Sequence, residues 1–257
     1  MKKSTFLFLI TTLFFCTMNA QLKTVRYNDG EQALNGLSVK ATKKTAQNPG
    51  ILLLPAWLGI DNASKGIAED LSKLGYTVFI ADIYGEGNYP KNTSEAGKQA
   101  GFYKNNYQAY QKRIQLSLDQ LIKSGANSDN IVAIGYCFGG TGVLEAARGR
   151  LKLRGVASFH GGLGKDALRE AEPILAKVLI CHGADDPFVP KEEITSFQQE
   201  MRDSKADWQM IYYSDSVHSF TNPEAGNDNS KGAAYNAVAA KRSFEHLLLF
   251  LNEVFKK

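Results

Sequence analysis

The segment Ile131-Val132-Ala133-Ile134-Gly135-Tyr136-Cys137-Phe138-Gly139-Gly140 constrains what this chain can fold into more than any other. A short apolar run suited to a buried strand enters a glycine-flanked turn, and Thr141-Gly142-Val143-Leu144-Glu145-Ala146-Ala147 continues as a helix. The pattern Gly-x-Cys-x-Gly sets a reactive side chain on a sharp strand-to-helix bend. Such a bend strains the central residue, and its glycine neighbours lack the side chains that would hold strand and helix apart. A thiol there meets the partial positive charge of a helix N-terminus, which favours thiolate. The N–H of Phe138 then points where an oxyanion would form. Taken alone, the motif also suits a structural cysteine in a glycine-rich turn.

The rest of the chain supplies the strands and helices such a bend needs. Strands are predicted over residues 22–27, 36–41, 51–54, 77–81, 131–134, 156–159, 178–181 and 209–213. The middle ones are short, continuous and rich in Val, Ile and Leu, as strands covered on both faces are, and the first two read as an antiparallel pair at one edge. Tyr107, Tyr110, Ile114, Leu118, Leu121 and Ile122 recur at three- and four-residue steps, as do Phe244, Leu247, Leu248, Leu251 and Phe255. Ile67, Leu71 and Leu74 mark a shorter helix stopped by Gly75. Helices alternating with buried strands predict an α/β fold with a mostly parallel central sheet of about eight strands and helices on both faces. Residues 84–101, with Gly85, Gly87, Pro90, Gly97 and Gly101, fit no element and read as a lid, a substrate wall or a plain surface excursion.

With 257 residues the chain suits one α/β domain, and 44% apolar residues suffice for its core without a disulfide or metal staple. Met1-Lys2-Lys3 followed by the apolar stretch 6–15 and Asn19-Ala20-Gln21 has the pattern of a secretory leader cut after Ala20. We therefore expect a signal peptide over residues 1–20, a single domain over 21–257, and export to a bacterial periplasm or medium. No run is long enough for a membrane span once the leader is gone. Net charge is only +4, and the basic residues are not clustered with aromatics, so a nucleic-acid partner is not expected. Without Cys16, the cysteines are Cys137 and Cys181. The second lies in an apolar run, where a small buried thiol is ordinary.

Partners for Cys137 follow in the order nucleophile, acid, histidine. His182-Gly183-Ala184-Asp185-Asp186-Pro187 follows a late strand, and Asp186 is the expected orienting acid, with Asp185 as the second candidate. Ser214-Asp215-Ser216-Val217-His218 follows the next, and His218 could reach Cys137 as base. His160 could line the pocket, His182 supports its loop, and His246 belongs to the last helix. The histidine spacings and the lack of an HExxH motif predict no metal site, and no cofactor is expected.

These segments together resemble the dienelactone hydrolase family, a branch of the α/β hydrolases with a cysteine nucleophile. Gly135 through Gly140 matches the nucleophile segment, His182 through Pro190 the acid loop, and His218-Ser219-Phe220 the histidine loop. The resemblance implies an α/β-hydrolase fold, cleavage of a small-molecule ester, lactone or related acyl bond, and a Cys137–His218–Asp186 triad with an acyl-enzyme intermediate. It also implies a second oxyanion donor, the N–H of Trp57, beside that of Phe138. Departures from the family pattern are Ala56, where a glutamate helps to ionise the thiol, and the positions near Gly85 and Asn222, where arginines grip a carboxylate. Losing both arginines predicts that dienelactone is not the substrate, and that a neutral or weakly polar acyl compound meets Trp57, Tyr84, Tyr89 and Phe138. The alternative is a non-catalytic binding protein on a retained fold. Oligomeric state is left open.

Overall fold

The computed structural model describes residues 21–43 and 45–256. The leader expected over 1–20, with Cys16, lies outside them. Along the chain run β1 (Lys23–Asp29), β2 (Gln32–Val39), β3 (Gly50–Leu54), α1 (Asn62–Lys73), β4 (Thr77–Ile80), α2 (Thr93–Asn105) and α3 (Tyr107–Lys123). Then come β5 (Ile131–Tyr136), α4 (Phe138–Arg148), β6 (Gly155–Phe159), β7 (Lys177–Gly183), α5 (Lys191–Asp203), β8 (Trp208–Tyr213) and α6 (Ala237–Phe255).

The strands form one eight-stranded sheet in the order β1-β2-β4-β3-β5-β6-β7-β8. Strand β2 is antiparallel to both neighbours and every other pairing is parallel. The expected mostly parallel sheet with an antiparallel pair at one edge is therefore present. Strand β2 starts four residues before the predicted position because Asp29 pairs with Gln32 across a two-residue turn in which Gly30 has φ 59°. Glycine at the first of the two turn positions suits such a hairpin, and the turn sets the register that turns Leu34 inward.

Both faces of the central strands are covered, which is why those strands read as unbroken apolar runs. Leu52 and Leu54 pack with Tyr110, Ile114 and Val143 on one face, and Ile51 and Leu53 with Leu71, Leu247 and Leu251 on the other. Helices α1 and α6 thus lie on one side, and α2 to α5 on the other. Each fully buried aliphatic side chain contributes roughly 1.5–3 kcal/mol.

Residues 84–101 are only partly a loop. From Thr93 they form α2, whose N-cap Asn92 accepts from the Glu95 N–H through its side chain. Ala96, Ala100 and Tyr103 are its buried residues. Gly97 and Gly101 hide the helix from a propensity reading, since each costs about 1 kcal/mol relative to alanine.

Candidate active site

The bend after β5 is as tight as its glycines suggest. Cys137 adopts φ 53° and ψ −114°, outside the regions comfortable for a side chain. A Cβ on Gly135 would lie 2.0 Å from the Gly139 carbonyl oxygen, and one on Gly139 would lie 2.1 Å from that of Leu54. Only glycine permits strands β3 and β5 to approach α4 so closely. The chain leaves β3 for β4 on one side and returns to β5 on the other. The crevice beyond the ends of β3 and β5 is where open α/β sheets hold ligands. Trp57 follows the first of these strands and Cys137 the second.

Two loops from the far half of the sheet close on the thiol. Ala184 N–H donates to the Tyr213 carbonyl and Asp185 N–H to that of Ser216, joining the loop after β7 to the loop after β8. His218 is fixed in turn, its N–H donating to Gly232 and its carbonyl accepting from Ala234. The His218 Nε2 lies 3.0 Å from Cys137 Sγ, and its Nδ1 lies 2.9 Å from Asp186 Oδ2. The Asp186 side chain is fully buried and also accepts from the Phe188 N–H, whereas Asp185 is exposed.

This chain of contacts sets the charges. Burial pushes the Cys137 thiol up, but the hydrogen bond and charge of His218 outweigh it, aided by the Phe138 N–H and the charge of Lys104, so the thiol lies below its ordinary value. Burial pulls His218 down, but its bonds to Asp186 and Cys137 raise it to about 9. Both shifts favour a thiolate beside an imidazolium.

Both residues expected to supply an oxyanion donor have their own carbonyls held by tyrosines. The Phe138 ring is stacked by Tyr110 at 4.6 Å and Tyr84 at 5.7 Å, and its carbonyl accepts from the Tyr110 hydroxyl at 2.9 Å. The Trp57 carbonyl accepts from the Tyr84 hydroxyl at 2.7 Å. Phe138 opens α4, so its N–H has no intrahelical acceptor. Tyr84 is thus buried between the two donors as a support.

The remaining residues expected at the pocket divide. His160 is buried at the side of the site, with its ring 5.3 Å edge-on from that of His218 and its Nε2 2.8 Å from Thr221 Oγ1. The Tyr89 hydroxyl donates at 2.7 Å to Asp82, which lies beyond the end of β4 and also accepts from the Asn35 N–H of β2. His182 is buried with its ring edge-on to Tyr212, and His246 bonds the Tyr213 hydroxyl through Nδ1. Cys137 and Cys181 are both free thiols. Burial pushes Cys181 up to about 12. Among the described residues no three His, Cys, Asp or Glu side chains are grouped to hold a metal ion.

Sequence reasoning missed the surroundings of the thiol. A cleft of about 460 Å³ adjoins the site, lined by Lys104 of α2, Thr141 and Glu145 of α4, Gly162, Phe188 and Glu193 among others. The Phe188 ring stands 5.4 Å edge-on from His218, joining the cleft to the imidazole beside the thiol. Nothing in the local sequence marks Lys104, because its placement depends on how α2 packs against α3 and Phe138.

The model of the dienelactone hydrolase family matches residues 37–255. The chain belongs to that family. It is accordingly a hydrolase of ester or lactone bonds in small molecules. A dienelactone hydrolase-like promiscuous phosphotriesterase from metagenomic libraries is 33% identical, with a TM-score of 0.87 over 93% of this chain and 100% of that one. An uncharacterised Caenorhabditis elegans protein is 37% identical across 48% of this chain and 79% of its own length. A Bradyrhizobium protein named "Probable 2-oxo-3-(5-oxofuran-2-ylidene)propanoate lactonase" is 24% identical over 80% of this chain and 84% of its own.

Within this dienelactone hydrolase fold, the positions that depart from the family pattern have other occupations. Ala56 offers no carboxylate, and its carbonyl accepts from the Gly59 N–H. Gly85, at φ 91°, packs on Gln32, and the Asn222 side chain caps a short turn by accepting from the Glu224 N–H. No helix among the described residues is long and apolar enough to cross a membrane.

Proposed function

We propose that this hydrolase cleaves acyl bonds through Cys137 as nucleophile, His218 as proton carrier and Asp186 as the residue that orients His218. The observation that carries this reading is the aligned pair of contacts on one imidazole, 3.0 Å to the sulfur and 2.9 Å to a buried carboxylate. The thiolate attacks the carbonyl carbon and the π electrons move to oxygen, giving a tetrahedral oxyanion facing the N–H groups of Phe138 and Trp57. The imidazolium gives its proton to the leaving oxygen as the carbon–oxygen bond breaks, leaving a thioester on Cys137. Water then attacks that thioester while His218 takes its proton. Collapse expels the thiolate and releases the carboxylic acid. His218 already lies at hydrogen-bond distance from the sulfur, so the missing glutamate at Ala56 is not needed to form the thiolate.

The test is turnover of short p-nitrophenyl esters and simple lactones by the protein beginning at Gln21, compared with Cys137→Ala. Activated phosphotriesters belong in the same panel, because a relative is named for that activity. Equal rates for the two proteins would end the reading. The thioester should also appear as an acylated Cys137 by mass spectrometry after rapid quenching. Export is part of the same proposal, supported by the charged start and the apolar stretch 6–15. Mature protein from a periplasmic extract should begin at Gln21, and an intact Met1 there would refute it.

A further inference from the structure

Helix α2 carries Gly97, Gly101 and Lys104 at steps of four and three residues, which places them on one face. A Cβ on Gly97 would lie 4.0 Å from the Trp57 ring, and one on Gly101 would meet nothing within 4 Å. One turn further, the Lys104 ammonium reaches over Gly162, 3.8 Å from where that residue's Cβ would be. Lys104 lies in the wall of the cleft beside the triad and is close enough to act on the Cys137 charge.

The charges of that cleft are unequally committed. Glu193 Oε1 accepts from the N–H groups of Leu163 and Gly164. Glu145 is engaged by Arg148, Arg169 and Gln111. Asp166 accepts from the Leu168 N–H, and Arg169, besides its bond to Glu145, lies over the Tyr107 ring. Lys165 donates to the Arg169 carbonyl. The Lys104 ammonium has no ion-pair partner among the described residues. Glu145 is paired with arginines, and Glu193, whose Oε1 lies 3.7 Å from the same Gly162 Cβ position as the ammonium, is held by amides, so Lys104 is left without an ion pair of its own.

We propose that Lys104 is a specificity residue, selecting acyl substrates that carry an anionic group, carboxylate or phosphate, on the part of the molecule that enters this cleft. The inference rests on the Cys137 acyl-transfer reading and deepens it. It departs from the neutral substrate that the missing arginines imply, because the anion is received from α2 and not from the positions of Gly85 and Asn222. A compact ammonium on a flexible stem suits an anion whose exact placement varies. Exposure to solvent makes its contribution sensitive to salt.

The experiment compares the protein with Lys104→Met, which keeps length and removes charge, and Lys104→Arg, which restores it. Lys98→Met removes a charge from the same helix outside the cleft and serves as control. Rates with p-nitrophenyl hexanoate and with the p-nitrophenyl half-ester of adipic acid, whose carboxylate is too distant to expel nitrophenolate readily, give a neutral and an anionic kcat/KM. The anionic-to-neutral ratio should fall about three- to tenfold in Lys104→Met, since a charge-assisted contact is involved. It should return in Lys104→Arg and stay unchanged in Lys98→Met. Alkylation of Cys137 by iodoacetate relative to iodoacetamide reports the same potential without turnover, and should fall in Lys104→Met alone. Unchanged ratios in both assays, or an equal fall in Lys98→Met, overturn the proposal. If neither ester is hydrolysed, the catalytic reading fails, and the alkylation ratio still decides whether Lys104 draws anions to the thiol.

Discussion

The bend bearing Cys137 and the helix α2 face the same crevice, yet they answer to different constraints. In the bend, a methyl group added at Gly139 would strike the Leu54 backbone at 2.1 Å; on α2, one added at Gly101 would touch nothing within 4 Å. The first region is over-determined by backbone packing, as the strained backbone of Cys137 requires. The second is held by a few side chains, Ala96, Ala100 and Tyr103, and leaves room where a substrate would pass. On the mechanism and specificity proposed above, chemistry is assigned to a region that cannot shift, and choice of substrate to one that can be altered without disturbing it.

The largest effect should come from the rigid half. Asp186→Asn keeps shape but no longer favours a proton on Nδ1 and removes the charge that helps hold His218 up at about 9. We expect kcat to fall about 10³–10⁴-fold, as loss of the orienting acid does in related triads. A fall of less than tenfold, measured on any ester the protein turns over, would mean that His218 is held correctly without it. Next is Gly139→Ala, whose methyl must displace the backbone of β3. Overpacking of this kind costs about 3 kcal/mol, visible in urea denaturation. Stability within 0.5 kcal/mol of the parent, roughly the noise of surface substitutions, would break the contrast with α2.

The charge pair gives a sharper reading of the same half. Between the lowered value of Cys137 and the raised value of His218, about 9, thiolate and imidazolium coexist. Falling pH protonates the thiolate; rising pH through about 9 strips His218 of the proton it must give the leaving group. Iodoacetamide should therefore react with Cys137 at pH values below the range of an ordinary thiol, near 8.5. In His218→Asn the inflection should move upward, because burial then acts with less opposition. An unmoved inflection would show that another group holds the thiolate.

How much of this was legible follows the same division. The bend could be read because its glycines, cysteine and apolar strand are consecutive, and local sterics alone give them meaning. The acid and histidine could be read because each follows a strand that its own composition marks. Choosing Asp186 over Asp185 was a preference in sequence and became a fact of burial, since only one of two adjacent carboxylates can point inward from that loop. Helix α2 was illegible because its glycines suppress helix propensity while serving the crevice. Lys104, Tyr84 and Tyr110 acquire their roles from packing between elements distant in sequence. Tyr89 shows the same limit, since its hydroxyl is held by Asp82, beyond the end of β4, a partner that the local sequence does not mark.

Tyr84 is where the two regions meet, stacked on Phe138 and donating to the Trp57 carbonyl. Tyr84→Phe retains the stack and frees the Trp57 carbonyl, one peptide beyond the N–H expected to face the oxyanion. Loss of one neutral hydrogen bond of about 1 kcal/mol should lower kcat roughly fivefold with KM little changed. A rise in KM alone would instead make Tyr84 a substrate contact.

The smallest change should be the most informative about α2. Gly101 lies within the helix, makes no contact that a methyl would offend, and has an ordinary helical setting. Gly101→Ala therefore gains helix propensity, about 1 kcal/mol, with no steric cost. For a domain of this size that corresponds to a melting temperature roughly 2–4 °C higher, and p-nitrophenyl acetate should be hydrolysed at the parental rate. The same Gly-to-Ala exchange would then stabilise one wall of the crevice and disrupt the other. A lower melting temperature would mean that α2 needs the freedom of glycine at this position, and the wall would have to be regarded as a moving part of the site. A higher one combined with slower hydrolysis of larger esters alone would locate the acyl chain against Gly101, one turn from Lys104.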